Sequence, residues 1–228
     1  MVKKTSSPPR RAQSLSRDRI VEAAIDLLDT SGEGGLTFRA LSERLATGPG
    51  AIYWHVADKS DLLTAACDGV VARTLASTGA GATPPAAIRA LALGLFDAID
   101  AHPWVGSALM RAPGQLPMVR ILERIGQALQ ALGVPDDAQW AGVSALLSYI
   151  LGVSGQNAAN AHIARRQGLD RAIFLGDVAM TWSQLDAAEY PFARRMAALL
   201  PDHDDRADFL AGIDLILGGL EPRRRGPR

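Results

Sequence analysis

Apolar residues recur along most of this chain at the three- and four-residue spacing of amphipathic α-helices, and we find no alternating pattern that predicts a strand. Ser16 is a suitable cap for the first helix, and Ser31 and Gly32 are typical of its end. Its apolar face consists of Ile20, Ala23, Ala24, Leu27 and Leu28. The pattern therefore predicts an all-α fold.

Two short elements follow the first helix and are joined by a turn. Thr37 caps the second helix, whose inward positions are Leu41 and Leu45. Residues 47–50 (Thr-Gly-Pro-Gly) form the turn, and a third helix is expected over 49–55 because proline suits a first helical position. This layout predicts a helix-turn-helix, the motif that lays a short helix in the DNA major groove.

The rest of the chain is also helical in pattern. Asp58 and Asp61 form a capping-box-like pair that opens a fourth helix, which continues to about residue 76. After a Gly-, Ala-, Thr- and Pro-rich loop at 78–85, the predicted helices are 85–101, 103–111, 115–132, 136–164, 190–200 and 204–220, with prolines punctuating them.

These elements predict four parts of the chain. We expect a disordered basic arm over 1–15, a three-helix helix-turn-helix DNA-binding domain over 16–62, a larger helical ligand-binding and dimerisation domain over 63–222, and a basic tail over 223–228.

Composition narrows the class of protein. Hydrophobic residues make up 48% of the chain, enough for a buried core, yet no uninterrupted apolar run approaches the roughly 18–20 residues of a membrane span. Residues 1–19 lack the apolar stretch of a signal peptide. The single Cys67 excludes an intramolecular disulfide, which fits a cytoplasmic protein. We therefore expect a cytoplasmic location and no membrane partner.

Charge is unevenly distributed although the net charge is zero. Residues 1–19 carry six Lys and Arg against one Asp, a net charge of +5, and residues 223–228 carry four Arg. A basic arm ahead of a helix-turn-helix is expected near phosphates, because the release of condensed counterions drives DNA binding. The alternative is a solvated tail that only aids solubility.

The N-terminal part resembles the TetR family of transcriptional repressors. The matching motifs are Gly-Gly-Leu-Thr at 34–37, Arg-Ala-Leu-Ser at 39–42, and above all Ile-Tyr-Trp-His-Val at 52–56, followed by Lys59. The Tyr-Trp-His-Val string and the C-terminal segment 209–221 are similar to the tetracycline-repressor branch. The resemblance implies a homodimer that binds a palindromic DNA operator, with Tyr53, His55 and Lys59 on phosphates.

The N-terminal end of the third helix is expected to face the bases, and its residues are small. Thr47, Pro49, Gly50 and Ala51 fall in this region, and Gly48 stands where the family commonly has a polar residue. We expect Pro49 or Ala51 to contact a thymine methyl, helped by Thr47 and by Arg39 of the preceding helix.

Phosphate contacts are expected from Tyr53, His55 and Lys59, which fix register but carry no sequence information. Trp54 is placed either in the core or against the DNA backbone. Arg39 has an alternative in a surface salt bridge with Glu43, one turn further on.

A single short recognition helix binds DNA weakly, so two copies of the chain are expected to pair. The longest apolar helices are the candidates for the dimer surface, where two helices from each subunit form a four-helix interface. The predicted residues are Ser144, Ser148, Ile150, Leu151, Gly152, Phe209, Ile213, Ile216, Leu217 and Leu220. The alternative is that both helices belong to the subunit's own core.

An effector pocket is expected between helices of the C-terminal part. The candidate lining residues are Phe96, Trp104, Met110, Leu116, Met118, Tyr149, Asn157 and Trp182. Asn157 and Asn160 lie on a long helix of otherwise small and apolar residues and are suited to orient a ligand. For each residue alone, core packing or surface exposure is the alternative.

Metal-bound tetracycline does not fit this sequence. The family's drug-binding histidine is absent from the fourth helix, and the resemblance places Ala108 where its metal-ligating histidine would be. The Thr-Arg-Pro contact is replaced by Arg111-Ala112-Pro113. We therefore expect no metal or cofactor, and an unknown effector that is a hydrophobic or amphipathic small molecule.

Two other classes of function remain as alternatives. An enzyme is disfavoured because the chain has no Gly-rich phosphate loop after a strand, no His-Glu-x-x-His, no Gly-x-Ser-x-Gly and one cysteine without an obvious partner. A DNA-binding regulator controlled by a protein partner, without a small ligand, is the second alternative. A buried cavity in the C-terminal part would favour the effector hypothesis.

Overall fold

The computed structural model describes residues 15–77, 83–166 and 168–220. Within these ranges the chain is helical and contains no strand, which confirms the predicted all-α fold class. The helices are α1 (Arg17–Gly35), α2 (Phe38–Leu45), α3 (Pro49–Tyr53), α4 (Lys59–Ser77), α5 (Pro84–Ala101), α6 (Trp104–Arg111), α7 (Leu116–Ala131), α8 (Asp136–Arg166), α9 (Arg171–Ser183), α10 (Pro191–Ala197) and α11 (Asp205–Leu220), with a 3₁₀ turn at Leu200–Asp202. The predicted arm, except residue 15, and the predicted tail lie outside the described residues.

Side-chain caps begin the N-terminal helices where the sequence predicts them. Ser16 Oγ accepts a hydrogen bond from the Arg19 amide, and Thr37 Oγ1 accepts one from the Ala40 amide at 3.1 Å. At α4, Asp58 accepts from the Asp61 amide and Asp61 accepts from the Ala57 amide. Each cap satisfies an amide that has no partner within the helix, so the starts of these helices are set locally.

Helix α1 has a break near its end. Gly32 has φ of 63°, outside the helical range, so the regular helix stops there and one further turn completes the element. This agrees with the prediction that Ser31 and Gly32 end the first helix. Helix α2 ends at Leu45 and is capped by Ala46, which has φ of 50°, a left-handed conformation that is uncommon for a residue with a Cβ.

The described residues form two compact units whose boundary lies between Ala66 and Cys67, within α4. In the N-terminal unit, α2 packs against α1 and α3. Its core is formed by Ile20, Ala24, Leu28, Leu36, Leu41, Ile52, Val56 and Leu62, all at most 2% exposed. The unit therefore buries one face of each short helix around a small apolar core.

In the C-terminal unit, the 31-residue helix α8 packs against α5, α7 and α11. The Phe209 ring of α11 lies near both Phe96 of α5 and Tyr149 of α8, with centroid distances of 4.8 and 5.6 Å. The Tyr149 hydroxyl donates a hydrogen bond to the Phe209 carbonyl at 3.2 Å. These contacts join three helices through aromatic packing.

Three elements differ from the sequence-based prediction. Helix α9 was not predicted, because none of its residues is buried and it has no continuous apolar face. Its one local signal is Asp170, which caps it by accepting from the Ile173 amide at 2.8 Å. The predicted helix at 190–200 ends as α10 at Ala197, since Pro201 cannot continue an α-helix, and a 3₁₀ turn follows.

The third difference concerns α3, which ends at Tyr53 rather than at residue 55. The His55 amide bonds to the Ile52 carbonyl three residues back, at 2.9 Å, so the chain tightens into a turn after Tyr53. The predicted seven-residue helix is thus only five residues long.

Among the described helices, none combines the length and the hydrophobicity that a membrane-spanning segment needs.

The contact between Gly212 of α11 and the Tyr149 side chain of α8 gives a test of the packing. A Cβ added to Gly212 would lie 1.9 Å from Tyr149 Oη and 2.3 Å from its Cζ. We expect Gly212→Ala to lower the free energy of unfolding by about 1–3 kcal/mol, the usual cost of overpacking, because the Tyr149 ring must move. Urea and thermal denaturation midpoints measure the change.

Gly218→Ala is the matched control on the same helix. A Cβ at Gly218 meets no heavy atom within 4 Å, so this substitution should be neutral or stabilise by up to about 1 kcal/mol. Equal stability of the two variants would contradict the close contact.

Candidate functional site

The helix-turn-helix is formed by α2, the turn at 46–48 and α3. Gly48, Pro49 and Gly50 are exposed at the N-terminal end of α3, whereas Ile52 is buried beneath it. Helix α3 therefore presents its N-terminal end to solvent as a surface of small residues. Such a surface allows close approach to another molecule but offers few side-chain hydrogen bonds.

The exposed face of α3 carries an aromatic pair. The Tyr53 ring stacks on Phe38 of α2 with a centroid distance of 4.3 Å and an interplanar angle of 15°. Tyr53 is 55% exposed, so its hydroxyl is accessible while one face of its ring is held. Sequence analysis did not identify Phe38, and its only signal was an aromatic residue directly after the Thr37 cap.

Trp54 is 90% exposed, so it does not belong to the core. An indole with this exposure is available to a molecule that packs on the end of α3. Of the two placements considered for Trp54 from the sequence, the surface placement is the one observed.

Arg17 holds the chain that follows α3. Its guanidinium donates to the His55 carbonyl at 2.5 Å and pairs with Asp61 at 3.3 Å. His55 is half-buried, and its carbonyl is thereby fixed to the start of α1. The orientation of α3 thus depends on a polar contact as well as on the apolar core.

Two predicted DNA contacts have partners within the N-terminal unit. The Lys59 ammonium donates to the Glu33 carbonyl at 2.5 Å, near the end of α1, where a cation also complements the helix dipole. Arg39 pairs with Glu43 at 3.0 Å with both side chains well exposed, which is the salt bridge considered above. Pairs this exposed contribute little to stability, so Arg39 is easily redirected.

The predicted dimer residues are distributed between the core and the surface. Ile150, Leu151, Phe209, Ile213 and Leu217 are buried within the chain itself, Ser144, Ile216 and Leu220 are half-buried, and Ser148 and Gly152 are exposed. The five buried side chains pack in the subunit's own core, which is the alternative considered from the sequence, because an apolar helical stripe has the same pattern whether it faces its own chain or another. A dimer face on α8 and α11 stays a prediction, and it rests on the five residues that retain exposed area.

The predicted effector residues are not all brought together. Trp104 and Met118 are buried, whereas Met110 and Leu116 are more than half exposed and Trp182 is 37% exposed. Phe96, Tyr149 and Asn157, by contrast, line one cavity of about 210 Å³ between α5, α8 and α11. The structure therefore assembles three of the eight predicted residues around this cavity.

A second cavity of about 260 Å³ adjoins it and shares Asn157, Asn160 and Asp205. It lies between the end of α8, the start of α9 and the start of α11. Its other lining residues are Ala161, Ala164, Arg165, Leu169, Asp170, Arg171, Phe174 and Leu175. Apart from Asn157 and Asn160, sequence analysis missed this set, because most of it lies on or before the unpredicted α9.

Charged groups surround the two cavities. The imidazole of His203 lies between two carboxylates, 3.1 Å from Asp205 and 2.7 Å from Asp208. Asp205 also pairs with Arg171 at 2.6 Å, and Asn157 donates to Asp100 at 3.3 Å. The polar rim is thus an extended network rather than a single ion pair.

Three pKa shifts follow from local structure. Burial and then the Asp208 charge raise the pKa of Tyr149, so its phenol stays neutral and acts as a donor. The backbone amide of Ala207 is the main cause that lowers the pKa of Asp204, which caps α11 as a carboxylate. Burial, with Asp68 beside it, raises the pKa of Cys67 to about 12, so this thiol is protonated and unreactive at neutral pH.

Over residues 15–77, 83–166 and 168–220, no group of three or more His, Cys, Asp and Glu side chains is arranged to bind an ion.

Two family models match the chain. One, described as bacterial regulatory proteins of the tetR family, matches residues 20–66, and one described as a tetracyclin repressor-like C-terminal domain matches residues 81–224. The first match spans α3 and the helix-turn-helix, and the second contains both cavities.

Individual proteins that are similar to this chain are also transcriptional regulators. The HTH-type transcriptional repressor DrrR1 of Streptomyces coeruleorubidus is 29% identical over 222 residues, which are 93% of this chain and 81% of that protein. The structure of the transcriptional regulator SCO7222, a TetR from Streptomyces coelicolor, is 50% identical, with a TM-score of 0.83 and coverage of 91% of this chain and 98% of that one. ActR of Streptomyces coelicolor, solved in complex with actinorhodin, is 23% identical with a TM-score of 0.74 over 91% and 96% of the two chains, a likeness of fold alone.

The stacked aromatic pair leads to a prediction about DNA affinity. We expect Phe38→Ala to weaken binding to a specific DNA fragment about three- to tenfold, because Tyr53 loses the ring that restricts its orientation. Electrophoretic mobility shift or fluorescence anisotropy titrations measure the affinity. The slope of affinity against salt should stay unchanged, since no charge is removed.

Phe38→Leu, which keeps apolar contact with the Tyr53 ring, is the control for folding. A double-mutant cycle with Tyr53→Phe should show coupling between the two positions. Additive effects of the two substitutions would show that Phe38 does not act through Tyr53.

Proposed function

The chain belongs to the TetR family of bacterial regulatory proteins, and from this premise we propose that it is a ligand-responsive repressor that binds a palindromic operator as a homodimer. Members of this family are DNA-binding transcription factors, so the chain is a transcriptional regulator and not an enzyme. The sequence-based prediction of that class is confirmed. The operator, the dimer and the effector are parts of the proposal.

The observation that carries the DNA-binding part is the geometry of α3. Its N-terminal end exposes Pro49 and Gly50, and its C-terminal end exposes Tyr53 and Trp54. We assign base-edge contacts to Thr47, Pro49, Gly50 and Ala51, and phosphate contacts to Tyr53, Trp54, His55 and Lys59, with Arg39 on either. Lys59 reaches a phosphate if it exchanges its bond to the Glu33 carbonyl.

We propose dimerisation because the exposed surface of α3 is small, and two copies of it are needed for useful affinity to DNA. The predicted dimer residues that retain exposed area are Ser144, Ser148, Gly152, Ile216 and Leu220. Two large apolar side chains near them in sequence, Trp140 and Leu215, are 72% and 79% exposed. A second copy that covers α8 and α11 would remove this apolar area from water.

The two cavities support control by a small organic molecule. Two partly open clefts lined by aromatic, apolar, amide and charged side chains suit an amphipathic ligand. In ActR, which shares the fold, actinorhodin is bound.

Coupling between effector and DNA requires different effector affinities for two conformations. Arg120 of α7 pairs with Asp68 of α4 at 2.8 Å, and Arg124 donates to the Leu75 carbonyl at 3.5 Å. We propose that effector binding shifts α6 and α7 against α4, whose first residues belong to the N-terminal unit. A DNA-binding domain over 16–62, a regulatory domain over 63–222 and a cytoplasmic location complete the proposal.

A carboxylate at the tip of α3 tests the proposed DNA surface. Gly50 is exposed and a Cβ there meets no heavy atom within 4 Å, so Gly50→Asp should fold normally, with its carboxylate favourably near the helix N-terminus. We expect it to weaken binding to a genomic operator fragment by more than about a hundredfold, through repulsion of the phosphates and loss of close approach. Affinity selection from genomic fragments supplies the operator.

Gly50→Ala is the control and should retain most of the affinity. Footprinting should reveal two half-sites separated by about one helical turn, roughly 10 base pairs, with two chains bound. Unimpaired binding by Gly50→Asp, or a single chain per fragment, would refute this arrangement.

A further inference from the structure

We propose that the 260 Å³ cavity between α8, α9 and α11 binds a small organic carboxylate, whose anionic group pairs with Arg165 and whose apolar part packs on Phe174. The inference names the chemical class of the effector and therefore builds on the proposed function. It concerns a site that sequence analysis did not assemble.

The charged side chains that line the cavity favour an anionic ligand. Each lining carboxylate already has donors: Asp205 accepts from Arg171 and lies 3.1 Å from His203, and Asp170 caps α9 through the Ile173 amide. Among the described residues, the exposed Arg165 guanidinium forms no hydrogen bond or ion pair, whereas its backbone carbonyl accepts from the Gly168 amide. Two arginines and two aspartates line the cavity, and the Arg165 guanidinium is the cationic donor among them that is available to an anion.

Arg165 is suited to a carboxylate in particular. Its planar guanidinium presents paired N–H donors that match the two oxygens of a carboxylate. Asn160, which is exposed beside the same cavity, offers an amide that can donate to an anion or accept from a neighbouring hydroxyl. A carboxylate bound here would give the Arg165 guanidinium an acceptor.

The apolar part of the lining indicates the size and character of the rest of the ligand. Ala161, Ala164, Leu169, Phe174 and Leu175 contribute most of the remaining wall, and Phe174 and Leu175 are only half-buried in the absence of a ligand. A volume of about 260 Å³ lies just below the roughly 300–1,000 Å³ typical of ligand pockets. A compact aromatic or short-chain carboxylate fits within this volume.

The test uses the full-length chain and four probes in isothermal titration calorimetry. These are 2-naphthoate and octanoate, with 2-naphthamide and octanamide as controls of nearly the same shape that are neutral and carry an NH2 group in place of one carboxylate oxygen. We expect saturable binding of at least one carboxylate with one site per chain and Kd below about 1 mM, and binding at least about tenfold weaker for its amide.

Two pairs of variants locate the site. Arg165→Gln should weaken carboxylate binding about tenfold or more, whereas Arg166→Gln, at the next position but outside the cavity lining, should leave it unchanged. Phe174→Ala should weaken binding of the carboxylate and its amide alike, and Ile173→Ala, on the same helix and 51% exposed, should affect neither. Thermal denaturation of each variant without ligand shows that it is folded.

The proposal is overturned if neither carboxylate binds at about 1 mM, if amide and carboxylate bind equally, or if both arginine variants behave alike. DNA affinity is measured separately, with and without probe. Carboxylate binding at Arg165 without any DNA binding would refute the proposed repressor function and support the proposed carboxylate site. Operator binding without carboxylate binding would refute the carboxylate site and support the repressor function.

Discussion

The packing of α8 against α5, α7 and α11 is the constraint on which the C-terminal unit depends. Close approach is possible because α8 and α11 carry glycine where other helices meet them: a Cβ at Gly142 would lie 2.9 Å from Leu129 and 3.0 Å from Leu220. At Gly212 the Tyr149 side chain occupies the corresponding space. Interiors packed at this density resist small deformations. The core therefore fixes the α8 wall of both cavities, whereas the α9 wall of the second cavity buries no residue.

In the N-terminal unit, the main constraint is that the short helix α3 must be held by its neighbours. A helix of five residues is far too short to persist by itself in water, because helix nucleation is unfavourable and few hydrogen bonds follow it. Helix α3 is held instead by burial of Ile52, by the stacking of Tyr53 on Phe38, and by Arg17 on the His55 carbonyl. These contacts leave the N-terminal tip and the Trp54 ring exposed. A rigid but minimal surface of this kind suits a protein that reads DNA by close approach rather than by many side-chain hydrogen bonds.

Much of the molecule was predictable from sequence because its signals are local. The Ser16, Thr37 and Asp58 caps, the break at Gly32 and the periodic apolar faces depend on residues within a few positions of one another, and the structure places the corresponding helix starts there. Helix α9 was missed for the same reason. It buries no residue, so it lacks the periodic signal, and its single cap at Asp170 is too weak a sign alone.

What only the tertiary structure decided is which partner each apolar face meets and which polar groups converge. Ile150 and Ile213 belong to stripes that suit a dimer equally well, and their burial within the chain follows only from the packing of α8 and α11. The second cavity joins Asn157, Arg171 and Asp205, which are separated by up to 48 positions along the chain, so no local pattern could group them. The sequence alone determined the fold class, the helix-turn-helix and the family, because helix periodicity, capping and motif spacing act over short distances. The position and charge of a cavity depend on contacts between distant segments, and these exist only once the helices have packed.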